Sequence, residues 1–291
     1  MSRCYFHDYQ ARCIYHITLK KANGVPVFGN LCGDCQNVSI ERSQLGKIIE
    51  KNLRNFYALN PSIRLLQYCI MPDHVHLLIF VTSHIELHLG KYISKLKILI
   101  YQEYREITGC EDSVFEEDFY DCILYRNRTL DTLYRYLRDN PRRLAVRRAH
   151  PEFFRRVNKL KIGEKYYQAY GNFQLLECPF KEQVVVHRAD TPEVRERNRQ
   201  GWLYAAANGG VLVSPFISQA EKAIRTEADE AGGRFIYITN QPLAERYKPS
   251  GRDFELCESG RMLIVSANID GDLNRTACLA MNSLAESICK D

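Results

Sequence analysis

Apolar and polar residues alternate along Arg12 to Lys20, RCIYHITLK, and a period of two predicts a β-strand. From Ser43 to Leu59 the apolar positions change period. Leu45, Ile48, Ile49, Leu53 and Phe56 recur at helical spacing, so a helix is expected there. Two short apolar runs follow, Ile63 to Ile70 and Val75 to Thr82, separated by a turn containing Pro72 and Asp73, and they read as strands joined tightly. Ile85 to Ile107 predicts a long helix carrying Leu87, Leu89, Ile93, Leu96 and Ile100, and Asp118 to Tyr125 a fourth strand. Thr129 to about Asn140 predicts a helix that Pro141 helps to stop, because the residue before a proline is pushed away from helical dihedrals. Val25 to Asn37 reads as loop. The order β-α-β-β-α-β plus a helix matches a split-βαβ, ferredoxin-like sheet whose first and third strands are central.

Beyond residue 170 the pattern becomes α/β. Short β-rich runs at Lys181 to His187, Gly210 to Ser214, Arg234 to Thr239 and Arg261 to Ala267 alternate with helical segments at Pro192 to Ala207, Ser218 to Ala231 and Leu273 to Cys289. That alternation argues for a parallel sheet. The fold class expected is α+β: a ferredoxin-like domain with extra helices over 1–165, its basic C-terminal part helical, followed by a smaller Rossmann-like α/β domain over 170–291. Ser218 and Glu221 fit a capping box. Neither a G-x-G-x-x-G nor a P-loop is present. Ligands of open α/β sheets bind at the carboxyl ends of the strands, which marks Ser214 to Ser218 and Thr239 to Gln241 as a candidate site in this half.

Composition narrows the classes. The chain has 291 residues, 45% of them hydrophobic, enough for two domains with proper cores. Its first residues, MSRCYFHDYQ, lack the apolar core of a signal peptide, and no apolar run is long enough to span a bilayer, so a cytoplasmic protein without membrane partners is expected. Eleven cysteines are scattered, and Cys32 and Cys35 form the one C-x-x-C, too little for a four-ligand zinc site, so reduced thiols are expected. The net charge of +5 is unevenly placed. Pro141 to Lys165 holds nine Lys or Arg against two Glu, a block suited to phosphate contact or to a solvated face.

The candidate chemistry starts in Gln67 to Phe80, QYCIMPDHVHLLIF. On a strand His74, His76 and Leu78 share one face, and two such imidazoles lie roughly 7 Å apart at Cα, within reach of one metal ion. An isolated H-x-H is more often an ordinary pair of strand residues. Further on, RNRTLDTLYRYLRDNP contains Tyr134 and Tyr136, and residues four apart on a helix share a face. Tyr136 therefore stacks with Asn140, while Tyr134 points about 200° away and pairs with Arg138.

Together, MPDHVHLLI and the downstream YLRDNP resemble the single-tyrosine HUH transposases, especially the REP-associated tyrosine transposases, over roughly residues 10 to 150. Val75 stands at the apolar position between the two histidines. The resemblance implies that Tyr136 is a nucleophile. It also implies that His74, His76 and Asn140 hold a divalent ion, Mg²⁺ or Mn²⁺, and that the substrate is single-stranded or hairpin DNA. Relatives often act as homodimers. Lys97, in ISKLKILIYQEY, matches a lysine on the long helix of relatives and is a candidate DNA contact, as are Arg142 and Arg143 at the start of the basic block. The activity implied is transposase-like cleavage and strand transfer through a 5′-phosphotyrosine. A domesticated repeat-processing enzyme and a DNA-binding regulator with a vestigial site are the alternatives. His16, His84 and His88 are expected to be structural.

Overall fold

The computed structural model of the chain describes residues 6–124, 127–245, 247–269 and 271–290, with side chains undescribed at 127–129. The extreme N-terminus and residue 125, the expected end of the fourth strand, lie outside the described residues. The chain divides into two compact units, Met1–Val146 and Arg147–Asp291.

The first unit contains β1 (Cys13–Lys20), β2 (Gly29–Cys32), β3 (Ser39–Arg42), α1 (Gln44–Arg54), β4 (Ile63–Ile70), β5 (His74–Val81), α2 (Leu89–Thr108), β6 (Tyr120–Leu124) and most of α3 (Asn127–Ala149). Its main sheet runs β4-β5-β1-β6, all antiparallel, which is the ferredoxin-like order with β5 and β1 central as expected. One face of that sheet (Tyr15, Ile17, Leu19, Val75, Leu77, Ile79) packs on Leu45, Ile49 and Leu53 of α1 and Leu89, Ile93, Leu96 and Ile100 of α2. The other face carries Leu78 and receives Leu137 of α3, with Tyr136 and Leu144 beside it. The stretch expected as loop contains β2, which pairs with β3 just beyond it; Cys32 ends β2, Cys35 follows it, and both are free thiols.

The helix caps explain two residues left without a role. Ser43 caps α1 by accepting from the Gly46 N–H. His88 caps α2, its side chain accepting from the Gly90 N–H. Gly46 also has a steric reason: a Cβ there would lie 1.8 Å from the Phe28 carbonyl oxygen.

The expected stop at Pro141 is not observed. α3 continues through the proline to Ala149. A proline inside a helix costs about 3 kcal/mol. Here Leu137, Ala145 and Val146, on both sides of it, are buried, and their packing offsets that cost.

The second unit begins with what was expected to be a helical extension of the first. After α3 the basic segment instead forms a hairpin, β7 (Arg155–Ile162) and β8 (Lys165–Gly171), that belongs to the second sheet. Val157, Leu160 and Ile162 supply an apolar side to this otherwise charged stretch, which lets it join a core. The boundary thus falls near 146, and the two units are of nearly equal length. There follow β9 (Lys181–Gln183), α4 (Pro192–Ala207), β10 (Val211–Ser214), α5 (Gln219–Glu230), β11 (Arg234–Thr239), α6 (Arg252–Glu258), β12 (Met262–Ser266) and α7 (Arg275–Lys290). The sheet order is β7-β8-β12-β11-β10-β9, with β9 to β12 parallel. α4, α5 and α6 pack on one face and α7 on the other. The parallel strands run in sequential order, without the reversal that opens a ligand crevice in doubly wound sheets. No helix among the described residues is long and apolar enough to cross a membrane.

Candidate active site

The face of β5 that looks toward α3 carries His74 and His76, and the turn before them is held firmly. Phe28 N–H donates to the Pro72 carbonyl and Lys21 N–H to that of Asp73, both at 2.9 Å. Arg42 donates to the Ile70 carbonyl at 3.0 Å. These bonds fix where β4 ends and β5 begins, and so fix which face His74 and His76 occupy.

The two imidazoles meet through Nε2, 3.0 Å apart. Each has its Nδ1 engaged elsewhere. The Asp73 carboxylate lies 2.6 Å from His74 Nδ1, and a carboxylate can only accept, so the His74 proton resides on Nδ1. His76 Nδ1 lies 3.0 Å from both Thr18 Oγ1 and His16 Nε2, on the neighbouring β1. Burial, and then the nearby His74, lower the His16 pKa to about 4, so that ring is neutral at pH 7. With His76 also protonated on Nδ1, toward Thr18 or His16, the two histidines would present two lone pairs to the same small volume. Ligands at about 2.1 Å in adjacent positions around an octahedral ion are about 3.0 Å apart, the separation seen here.

Across from β5, the Tyr136 ring centroid is 5.8 Å from that of His76, edge to face. Tyr134 belongs to the same apolar cluster, and the ring edge-on to His76 is that of Tyr136. Asn140, one turn on, is buried, and its amide nitrogen has no hydrogen-bond partner. An orphaned buried amide costs about 1–3 kcal/mol unless something binds it. A carboxamide ligates a metal through its oxygen, and its unpartnered nitrogen calls instead for an acceptor such as a phosphate oxygen; two imidazoles with the Asn140 oxygen would make a neutral donor set for a divalent ion, suited to Mn²⁺ better than to the oxygen-preferring Mg²⁺. Among the described residues no group of three or more His, Cys, Asp or Glu is arranged to hold a metal.

The candidate DNA contacts are placed differently from one another. Arg143 is buried, its guanidinium carbon 5.6 Å from the Tyr136 ring centroid. Arg142 pairs with Asp139 at 2.9 Å and is half-buried. Lys97 donates to the carbonyls of Glu116 and Glu117, at 2.8 and 2.9 Å, and lies over the Phe119 ring. It ties α2 to the segment that leads into β6, so its ammonium is committed to protein carbonyls. Sequence reasoning missed three residues: Asp73, read as a turn residue, and Thr18 and His16, which orient His76. The signal for Asp73 is its adjacency to His74; that for Thr18 is its position directly across from His76.

The candidate site at the strand ends of the second unit is closed by its own side chains. The Glu221 carboxylate accepts from the backbone N–H groups of Val186, Ile217 and Ser218. Ser218 accepts from Glu221 N–H, completing the expected capping box. The N-terminus of α5, where an external anion would bind, is therefore filled from within.

The family model described as IS200-like transposase matches residues 38–140. Among solved structures, a REP-associated tyrosine transposase bound to a REP hairpin is 14% identical, with a TM-score of 0.34, over 48% of this chain and 73% of that one. A Deinococcus radiodurans protein described as a transposase is 14% identical, with a TM-score of 0.30, over 48% and 97%. DNA processing protein A from Streptococcus pneumoniae is 18% identical, with a TM-score of 0.34, over 67% and 70%. No curated protein sequence matches the chain significantly.

Proposed function

We propose, from the premise that residues 38–140 form an IS200-like transposase domain, that the first unit cleaves and rejoins single-stranded DNA through a covalent tyrosine intermediate. The observation that carries this reading is the meeting of His74, His76 and Tyr136 between β5 and α3.

The Tyr136 phenol oxygen attacks the scissile phosphorus, forming the O–P bond of a 5′-phosphotyrosine. The bond to the 3′-oxygen breaks, and that oxygen leaves as a hydroxyl, taking up a proton as the phenol releases its own. One phosphoester replaces another, so a second 3′-hydroxyl can reverse the step without ATP. A phenol has an unperturbed pKa near 10 and is a weak nucleophile at neutral pH. A divalent ion held by His74, His76 and Asn140 would supply Lewis-acid stabilisation of the phosphate charge. Asp73, Thr18 and His16 keep the two imidazoles turned with Nε2 toward that position. Arg143, beside the Tyr136 ring, places a positive charge close to where negative charge gathers, and Arg142 stands at the neighbouring turn to meet the phosphate backbone. Hairpin DNA is the substrate form to test first, with Mn²⁺ as the ion.

Incubation with a single-stranded hairpin oligonucleotide and Mn²⁺, followed by a denaturing gel, tests the reading. The expected product is a covalent protein–DNA adduct that vanishes in Tyr136→Phe and persists in Tyr134→Phe. His76→Ala is expected to lower cleavage by about 10³-fold, comparable to removing a key electrostatic group elsewhere. An adduct lost in Tyr134→Phe but kept in Tyr136→Phe would overturn the assignment.

A further inference from the structure

Several cations in the body of the second unit are neutralised. Arg199 pairs with Glu196 and Glu227, Arg225 with Asp253, Arg252 with Asp229 and Glu255, Arg261 with Asp229, and Lys290 with Glu286. None of these pairs involves the β7–β8 hairpin. Lys159, Lys161 and Lys165 are exposed and make no ion pair among the described residues. β7 is also the edge strand of its sheet.

Lysines on an edge strand have a structural use, since they discourage edge-to-edge pairing with another chain. That use does not account for Tyr166. It lies directly across from Lys161 in the β7–β8 register and is 64% exposed. Lys159 and Lys161 are two apart on β7 and project to the same side, while Leu160 and Ile162 turn toward the core. One side of the hairpin thus combines unpaired positive charge with an exposed aromatic ring. The charge calls for a polyanion. The ring calls for a partner with flat, unpaired faces to stack on, which a duplex does not present and an acidic peptide lacks.

We propose that the β7–β8 hairpin is a docking surface for single-stranded nucleic acid, with phosphates against Lys159 and Lys161 and an unpaired base on Tyr166. Lys165, at the turn, extends the positive field. The surface gives the second unit a binding role of its own, separate from the tyrosine chemistry of the first.

The test uses the full chain and oligothymidylate carrying bromodeoxyuridine. Ultraviolet cross-linking followed by peptide mapping is expected to label the segment containing Tyr166. Lys159→Gln with Lys161→Gln should weaken binding about tenfold and reduce the salt dependence of log K by about 1.4, at roughly 0.7 per phosphate contact on a single strand. Replacing both by Arg should restore it, which separates a charge effect from a folding defect. Tyr166→Ala should weaken single-strand binding about tenfold and leave duplex binding unchanged. Cross-links confined to residues outside 155–168 would overturn the proposal. So would unchanged affinity in the lysine variant, or displacement of the oligonucleotide by polyglutamate at equal charge. The adduct assay reads the first unit alone, so the failure of either reading is visible without the other.

Discussion

The two sheets treat the polar groups at their strand ends in opposite ways. In the second unit each buried hydroxyl or carboxylate there is satisfied from within. Ser214 donates to the Val184 carbonyl at 2.7 Å and accepts from Phe216 N–H at 3.0 Å. Ser266 repeats the arrangement with the Gln241 carbonyl and Asn268 N–H, at 2.8 and 3.0 Å. Phe216 and Asn268 both adopt positive φ, 45° and 51°, so the same turn closes two parallel strands. Glu221 gathers three backbone amides. In the first unit the corresponding region is left incomplete: the Asn140 amide nitrogen is orphaned, and two imidazole nitrogens face one another. A buried polar group with all its partners is architecture. One without them is a cost that a fold retains where something else is bound.

Mutations should separate the two regions cleanly. The largest effect is expected from Glu221→Ala, which strands three partly buried backbone amides. It should lower the unfolding free energy by about 3 kcal/mol or more in denaturant titrations while leaving adduct formation intact once folded protein is selected. If cleavage fell with it, the strand ends of the second unit would not be mere architecture.

An effect of similar scale is expected from pH. The folded-state pKa of His16, about 4, lies below its ordinary value of 6.5. Above pH 6.5 neither the folded nor the unfolded state takes up this proton, and the group has no effect. As pH falls from 6.5 toward 4 the unfolded state binds a proton that the folded state rejects, so stability drops, by up to about 1.4 kcal/mol per pH unit. Calorimetry in chelator should show this slope, and His16→Gln should flatten it.

The smallest stability change carries the sharpest contrast. Asn140→Leu removes an orphaned amide, so unfolding should become about 1 kcal/mol harder or stay unchanged. Cleavage should nevertheless fall by about 100-fold. A loss of both stability and cleavage would mean that Asn140 belongs to the packing of α3.

Much of the first unit was legible because its information is periodic. Alternation placed His74 and His76 on one face of a central strand, and a period of 3.6 chose Tyr136 over Tyr134. What depended on pairing between distant segments was not legible. Thr18 and His16 acquire their roles only when β1 and β5 lie in register. The β7–β8 hairpin was hidden because charges outnumber apolar residues along it and its register shifts between Val157 and Leu160, which breaks the alternation. Pro141 misled for a different reason. The local rule is sound, yet the burial of Leu137, Ala145 and Val146 outweighs it.

That proline has a mechanical consequence. Residue 141 offers no amide proton, so the turn from Leu137 to Pro141 lacks the lengthwise bond that stiffens the rest of α3. Bending at that turn breaks nothing further, and the flexure of a helix gathers at such a weak link. α3 therefore lacks one lengthwise bond at the turn that holds Asn140 and directly follows Tyr136. If Tyr136 acts as proposed, reaching a phosphorus atom and later withdrawing from it, the missing bond sits beside the residue that has to move.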